Sequence, residues 1–437
     1  MSILFSMRYG NYKSSGEGWL GEVPSHWHVV RLKTLFREKK HRSNMALPCG
    51  SISFGEVVQK NDEMIPESTK KSYQEVLSGE FLVNPLNLNY DLVSLRIALS
   101  EIDVVVSAGY IVLQSAAPID SGYFKYLLHC YDVSYMKLLG SGVRQTISFG
   151  HISSSLLLCP PLKEQSAIYK FLDIKSAQVD QAVRIKERQI ERLKERKQIL
   201  IQQAVTRGLD PHAPMRDSGV EWIGEIPAHW ETVRLKYLFK EINERTKTGE
   251  ETLLSLRMEL GLVPHDDVSD KAISNDSLVD YKLVRPGQMV MNRMRAAIGI
   301  FGVSSRFGLV SPDYAVFDIK ERANSSFFLR LFKLPLLGTQ FRLGSKGLGT
   351  GSSGFMRLYT ENFGDIKVAV PPLGEQLEIL KFIDSTSERL DNACTVFEQQ
   401  ITKLKEYKST LINSAVTGKI KVPGVVEPAE IQEREIA

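Results

Sequence analysis

Long apolar runs, paired cysteines and catalytic motifs are all missing from this 437-residue chain. Each absence narrows what it can be. No stretch of about 18 apolar residues occurs, so no membrane-spanning helix is expected. The N-terminal run "ILF" is too short for the apolar core of a signal peptide. Cysteine is scarce: Cys49, Cys130, Cys159 and Cys394 stand alone, with no C-x-x-C and no paired spacing. That pattern reads as unpaired thiols in a reducing cytoplasm rather than a disulfide framework or a metal centre. No G-x-x-x-x-G-K-[ST] phosphate loop, no H-E-x-x-H and no glycine-rich S-adenosylmethionine loop is present. "GTGSSG" (Gly349 to Gly354) matches G-x-G-x-x-G, but no strand precedes it and no helical period follows. It reads as a loop, flanked by Lys346 and Arg357 and suited to nucleic acid. "CPPL" at Cys159 and "VPPL" at Val370 lack the amide and the aromatic that an amino-methyltransferase needs to hold and stack its base. No catalytic residue, no metal and no cofactor is therefore expected in this chain.

What is present is ordinary in amount and uneven in distribution. The chain is 43% hydrophobic and 24% charged, with a net charge of +4. Residues 1–42 carry eight basic and three acidic groups, and residues 43–159 carry seven and eleven. Residues 246–281 carry three and eight, whereas 282–357 carry twelve and three. A basic block of that size within one segment is a footprint for a polyanion.

The chain is also written twice. "GEVPSHWHVVRLKTLF" (Gly21 to Phe36) returns as "GEIPAHWETVRLKYLF" (Gly224 to Phe239), with 11 of 16 positions identical. All four tryptophans, Trp19, Trp27, Trp222 and Trp230, lie in or beside these copies. His26 and His229 recur next to a tryptophan and without a nucleophile, so they read as structural. A second pair begins at Pro160 and Pro371, with 24 identities in 47 positions. The segments between are only faintly alike: "SYQEVLSGEFLVN" against "DYKLVRPGQMVMN", and "VSAGYIVL" against "VSPDYAVF". One fold used twice, with different surface residues, explains that order.

Each Pro-Pro pair opens a run without glycine or proline, from Leu162 to Arg207 and from Glu375 to Thr417, closed by Gly208 and Gly418. Proline suits a helix start and glycine a C-terminal cap. Glu164 and Glu375 sit near the positive end of the helix dipole. A 3-4 apolar period predicts a coiled-coil seam through Val183, Ile190, Leu193 and Leu200 in the first helix, and through Leu390, Phe397, Ile401, Leu404 and Leu411 in the second. Polar positions Lys186, Lys197 and Lys408 interrupt it. An intramolecular antiparallel pair is expected, which gives the chain a pseudo-twofold repeat. The fold class is α+β: two mixed globular segments separated by two long helices.

The candidate recognition residues lie in the variable segments. In "MNRMRAAIG", Arg293 and Arg295 are two apart and on a strand would share a face. With Asn292, they are of the types that read guanine and adenine edges. Lys346 and Arg357 add positive charge. The matching place in the first segment offers Asn84, Asn87 and Arg96. Lys137, Arg144 and Gln145 flank the "LGSG" turn.

"SGVEWIGEIPAHWETVRLKYLF", "PPLGEQLEILKFID" and "SAVTGKI" resemble the specificity (S) subunit of Type I restriction–modification systems. The resemblance covers nearly the whole chain; the first copy, "SSGEGWLGEVPSHW", departs from it by lacking "GVEW". It implies target recognition domains at 1–159 and 209–370, conserved helices at 160–208 and 371–419, and a tail at 420–437. It implies a non-catalytic subunit that binds double-stranded DNA at a bipartite asymmetric site, one half per domain. The helix pair would set the gap and dock methyltransferase (M) subunits carrying S-adenosylmethionine. Where a restriction (R) subunit is present, that partner would hold ATP and Mg. The competing expectation is a coiled-coil scaffold that binds proteins without sequence-specific DNA affinity.

Overall fold

The two long runs fold as uninterrupted α-helices, Leu162–Arg207 and Leu373–Val416, in a computed structural model. It describes residues 8–86, 95–136, 139, 147–270, 273–347 and 356–427. The second helix starts two residues ahead of the glycine-free run, directly after its Pro-Pro pair as the first helix does, with Gly374 in its first turn. Every predicted seam position is buried or half-buried: Val183, Ile190, Leu193 and Leu200 in one helix, Leu390, Phe397, Ile401, Leu404 and Leu411 in the other. Among the described residues, no helix is long and apolar enough to cross a membrane.

The residues pack into two compact units, one formed by Met1–Lys186 with Glu398–Ala437 and the other by Glu187–Phe397. Each takes half of each long helix, so the last stretch of the chain returns to the first unit. In the first unit, Lys408 Nζ donates to both carboxylate oxygens of Asp180 at 2.7 Å. In the second, Lys197 Nζ donates to Asp391 at 2.9 and 2.7 Å. Both lysines occupy positions of the otherwise apolar seam. Half-exposed pairs of this kind are worth about 0–1 kcal/mol each. Their physical effect is on register, as polar groups at seam positions fix which turns face each other.

Both units repeat one strand plan. The first has an antiparallel sheet in the order Phe36–Glu38, Ile111–Ser115, Phe81–Val83, Ile97–Leu99. The second has Phe239–Ile242, Tyr314–Ile319, Met289–Asn292, Phe301–Val303. Register agrees as well: Leu113 faces Phe81 and Glu38, and Phe317 faces Met289 and Glu241. A two-stranded ladder follows in each unit, Gln74–Val76 with Val104–Val106 and Lys282–Val284 with Gly308–Val310. A hairpin completes each set, Gly50–Ser53 with Glu56–Gln59 and Leu254–Arg257 with Gly261–Pro264. Phe36 anchors the first core edge-on to Phe81 and Phe124, and Phe239 does the same against Phe317 and Phe328.

The repeated motif ties this plan to the helices. Trp27 Nε1 donates to Glu164 at 2.9 Å, and His26 Nε2 bonds the other oxygen at 2.7 Å. Trp230 Nε1 and His229 Nε2 meet Glu375 at 3.0 and 2.8 Å. Each carboxylate lies in the first turn of a long helix, where the dipole favours it. One residue on, Gln165 Nε2 donates to the Pro160 carbonyl, while Gln165 Oε1 accepts from the backbone of Asp120, the cap of helix Ser121–Ser134. Gln376 does the same with Pro371 and with Asn324, the cap of helix Ser325–Phe332. The opposite helix ends in the same place. Gly418, at φ 74°, packs on Pro24 and Trp27, and Gly208, at φ 76°, packs on Trp230 and Glu375.

These glycine contacts make a ranking testable. A Cβ on Gly418 would lie 2.4 Å from the Pro24 ring, whereas one on Gly208 would meet the movable Glu375 carboxylate at 2.9 Å. Both substitutions to alanine incur about 1–2 kcal/mol for the left-handed backbone. Gly418→Ala adds about 1–3 kcal/mol of overpacking. Chemical denaturation therefore ranks Gly418→Ala below Gly208→Ala; equal losses would mean that the proline ring simply moves aside. Separately, burial pushes the His129 imidazole down to about 4, with Lys125 and Lys408 adding to the shift. The folded state keeps this histidine neutral while the unfolded chain protonates it near its ordinary value of about 6.5. Its contribution is present above pH ~6.5 and is lost as pH falls toward ~4. Denaturation midpoints of His129→Gln should fall less steeply than wild type across that window, and parallel curves would exclude the histidine as the cause.

Candidate nucleic-acid interface

In the second unit the strand Met289–Asn292 ends where the candidate residues begin. Asn292 is buried, and its Oδ1 accepts from the backbone N–H groups of Met294 and Arg295. That turn separates the two arginines. The expectation that Arg293 and Arg295 share a strand face does not hold, because the strand stops before either is reached.

Arg293 turns inward. Its guanidinium donates to Glu241 at 2.6 Å and to Thr360 Oγ1 at 3.2 Å. Glu241 also accepts from buried Lys282 at 3.0 Å and from the Thr360 hydroxyl. Burial alone would raise the Glu241 carboxyl; the Thr360 hydroxyl, Lys282 and Arg293 outweigh it and hold the group below its usual range. Burial pushes Lys282 down in turn. This is a structural ion-pair cluster. Asn292 and Arg293 shape the turn instead of presenting free groups.

Arg295 is exposed, with no ion-pair or hydrogen-bond partner for its side chain among the described residues. Tyr314 sits opposite Asn292 across the strand pair. Burial raises its phenol, and Arg257 and Arg295 pull it back, so both guanidiniums lie within electrostatic reach of one ring. Arg257 closes the hairpin strand Leu254–Arg257. Beside it, Ser255 Oγ meets His265 Nδ1 at 2.9 Å. A shallow depression lined by Ser255, Arg257, His265, Tyr281, Ser311 and Tyr314 joins these groups. The sequence reading missed Arg257 and Tyr314. For Tyr314 the signal available was "VSPDYAVF", where the tyrosine follows the Pro-Asp turn and opens the strand ahead of three buried residues.

Lys346 and Arg357 do come together. Each donates its backbone N–H to the other's carbonyl at 2.9 Å, across the loop they flank. Lys346 is exposed, whereas Arg357 is half-buried and pairs with Asp313 at 3.2 Å. The loop Gly349 to Gly354 lies outside the described residues. The charge excess of 282–357 is also smaller in space than along the chain. Lys282, Arg285, Arg293, Arg322, Arg330 and Arg357 are all ion-paired, mostly with carboxylates outside that segment. Arg295, Arg306, Lys320, Lys333, Arg342 and Lys346 are the other six, all exposed.

In the first unit, Arg96 is buried and its Nε donates to Asp132 at 3.0 Å, so it belongs to the core and not to an outer face. Asn84 is half-buried and its side chain accepts from Leu86 N at 3.0 Å, closing a turn. Asn87, Lys137, Arg144 and Gln145 lie outside the described residues. The exposed cations of this unit include Arg37 and Arg42, beside a shallow basin that Lys40 and Gln114 also line.

No group of His, Cys, Asp and Glu among the described residues could hold a metal ion. Burial pushes the Cys130 thiol up to about 12 and raises those of Cys49 and Cys159. What the geometry defines is a tandem scaffold, one frame that carries two different polar surfaces. No family model matches the chain. Over 424 residues it is 23% identical to the type I restriction enzyme MjaVIII specificity subunit of Methanocaldococcus jannaschii, covering 92% of this chain and 94% of that one. The fold matches a chain from a solved type I restriction–modification complex assembly, with a TM-score of 0.65, 14% identity and 91% and 99% coverage. It also matches the HsdS subunit of Thermoanaerobacter tengcongensis, with a TM-score of 0.53, 16% identity and 94% and 99% coverage. Along nearly its full length, then, the chain is similar to type I restriction specificity subunits in sequence and in fold.

The two arginines should separate on substitution. Arg293→Ala removes charged hydrogen bonds in the Glu241 cluster and should lower stability by about 1.5–3 kcal/mol. Arg295→Ala should stay within about 0.5 kcal/mol of wild type. Thermal melting of both variants checks this, and a neutral Arg293→Ala would dissolve the cluster as a structural device.

Proposed function

We propose that this chain is the DNA sequence-recognition subunit of a type I restriction–modification complex. Each unit engages one half of a bipartite, asymmetric site. The observation that carries the reading is one frame used twice with unlike outward residues. Two different base sequences require different polar groups held in the same way. Phosphate contacts supply affinity and register, and base-edge contacts supply sequence. In the second unit Arg295 and Arg257 are the exposed cations set around Tyr314, so they are the residues we assign to contact. Lys346 and Arg357 stand at the base of the neighbouring loop and add positive charge of their own.

The chain performs no bond chemistry itself. Methyl transfer belongs to methyltransferase subunits that carry S-adenosylmethionine. ATP and Mg belong to a restriction subunit where one is present. The long helices set the gap between half-sites and dock the methyltransferase. Full-length similarity to a specificity subunit supports this division of labour.

Genome-wide methylation mapping in cells that express the chain with its methyltransferase tests the reading. A single bipartite asymmetric motif is expected. Arg295→Ala should relax one half-site, with about 1–3 kcal/mol of discrimination lost at one base pair. A seven-residue insertion in each long helix, after Ile190 and at the matching point of the second, should alter the gap and leave both half-sites intact. Methylation without a bipartite motif would favour a protein-binding scaffold instead.

A further inference from the structure

The first unit exposes one aromatic ring in a position its backbone disfavours. Phe54 is 99% exposed, at the tip of the hairpin Gly50–Ser53 with Glu56–Gln59. Its φ is 49° and that of Gly55 is 81°. Two successive left-handed residues mark a tight hairpin turn that favours Asn-Gly or Gly-Gly. A Cβ in this region crowds its own carbonyl, so phenylalanine is a poor local choice. It gains nothing from packing, because the ring lies in water.

The turn itself is held. Ile52 and Val57 pack on the small core with Val76 and Val104. A Cβ on Gly55 would lie 2.7 Å from Leu95. Phe54 is thus a rigidly mounted single ring. Ser53 and Glu56 pair at the base of the turn while Ile52 and Val57 pack on the small core, so among the described residues the exposed ring has no apolar surface packed against it. A protein partner would need several hundred square ångströms of such surface. A lone ring on a thin two-stranded ribbon fits a nucleic-acid groove, where an apolar side chain can wedge between adjacent base pairs. The equivalent hairpin of the second unit also ends in exposed apolar residues, Met258 at 46% and Leu260 at 64%, before Gly261 at φ 70°, but there the left-handed backbone is left to the glycine.

We propose that Phe54 is an apolar wedge that inserts at a base step of the half-site engaged by the first unit, with Leu260 in the same role in the second. The proposal rests on the DNA-recognition reading above. The wedge separates a step; exposed polar groups elsewhere on each unit read the bases.

The test uses the full chain in complex with its methyltransferase and duplexes of the mapped site carrying 2-aminopurine at successive positions. Wild type should raise fluorescence at one step in one half-site. Phe54→Asn suits the left-handed turn, so its melting temperature should equal or exceed that of wild type. It should abolish the fluorescence rise and weaken cognate binding by about tenfold or more, as loss of one base–aromatic contact would. Leu260→Asn should do the same at the other half-site only. Undiminished fluorescence and affinity in Phe54→Asn would overturn the wedge. So would loss of methyltransferase from the purified complex with DNA binding retained, since the ring would then be a protein contact. If wild type itself shows no site-dependent affinity, the DNA reading fails first and the wedge with it.

Discussion

The indole N–H to carboxylate bond at the start of each long helix is the contact on which the rest depends. Glu164 and Glu375 each serve two masters. They sit in the first turn of a helix more than forty residues long, and they accept from the Trp and His of the repeated motif. The glycine that ends the opposite helix closes on the same tryptophan. One knot therefore fixes a helix start, a helix end and the first strands of a globular unit. Removing the buried Trp27 or Glu164 leaves its partner unsatisfied, which costs about 1–3 kcal/mol; His229 is exposed, so its loss costs less.

Because that knot is self-sufficient, the sheets beyond it can differ in side chains while keeping one backbone. In the first unit, Gln114 Nε2 donates to Glu80 at 2.6 Å, and Glu80 also accepts from Leu77 N. In the second, Gln288 holds the equivalent turn by accepting from Arg285 N, and its Nε2 donates to Asp318 at 2.7 Å. Amide and carboxylate have changed places between strand and turn, and the hydrogen bond is kept. Satisfaction of donors and acceptors, not residue identity, is what the frame demands.

This distinction governs what could be read from sequence. Both helices, their pairing and the duplication were legible because Gly, Pro and the 3-4 period punctuate the chain locally. The fate of Arg293 was not, since it turns on Asn292 capping a turn and on Glu241, which is 52 residues away in the chain. Segmental charge misled for the same reason. The carboxylates that neutralise Arg285, Arg322 and Arg330 are Glu244, Glu231 and Asp384, all outside the segment counted. Arg96 looked like a surface group in a polar stretch, but Asp132 of a core-facing helix takes it inside. Phe54 reads as an ordinary strand residue until the backbone places it at a turn.

The residues that remain after such pairing share an energetic property. Arg295, Arg257 and Lys346 contribute almost nothing to the fold, because substitutions at exposed sites away from caps and networks fall within about ±0.5 kcal/mol. Those withdrawn into the structure, Arg293, Arg96 and Lys282, sit in clusters where losing a partner strands a charge. The exposed polar groups and the stabilising ones are thus separate sets of side chains on one backbone plan. A unit can exchange its exposed set for another without disturbing the Glu–Trp knot or the sheet register. That separation is the physical condition under which two copies of one frame can hold two unlike surfaces in a single chain.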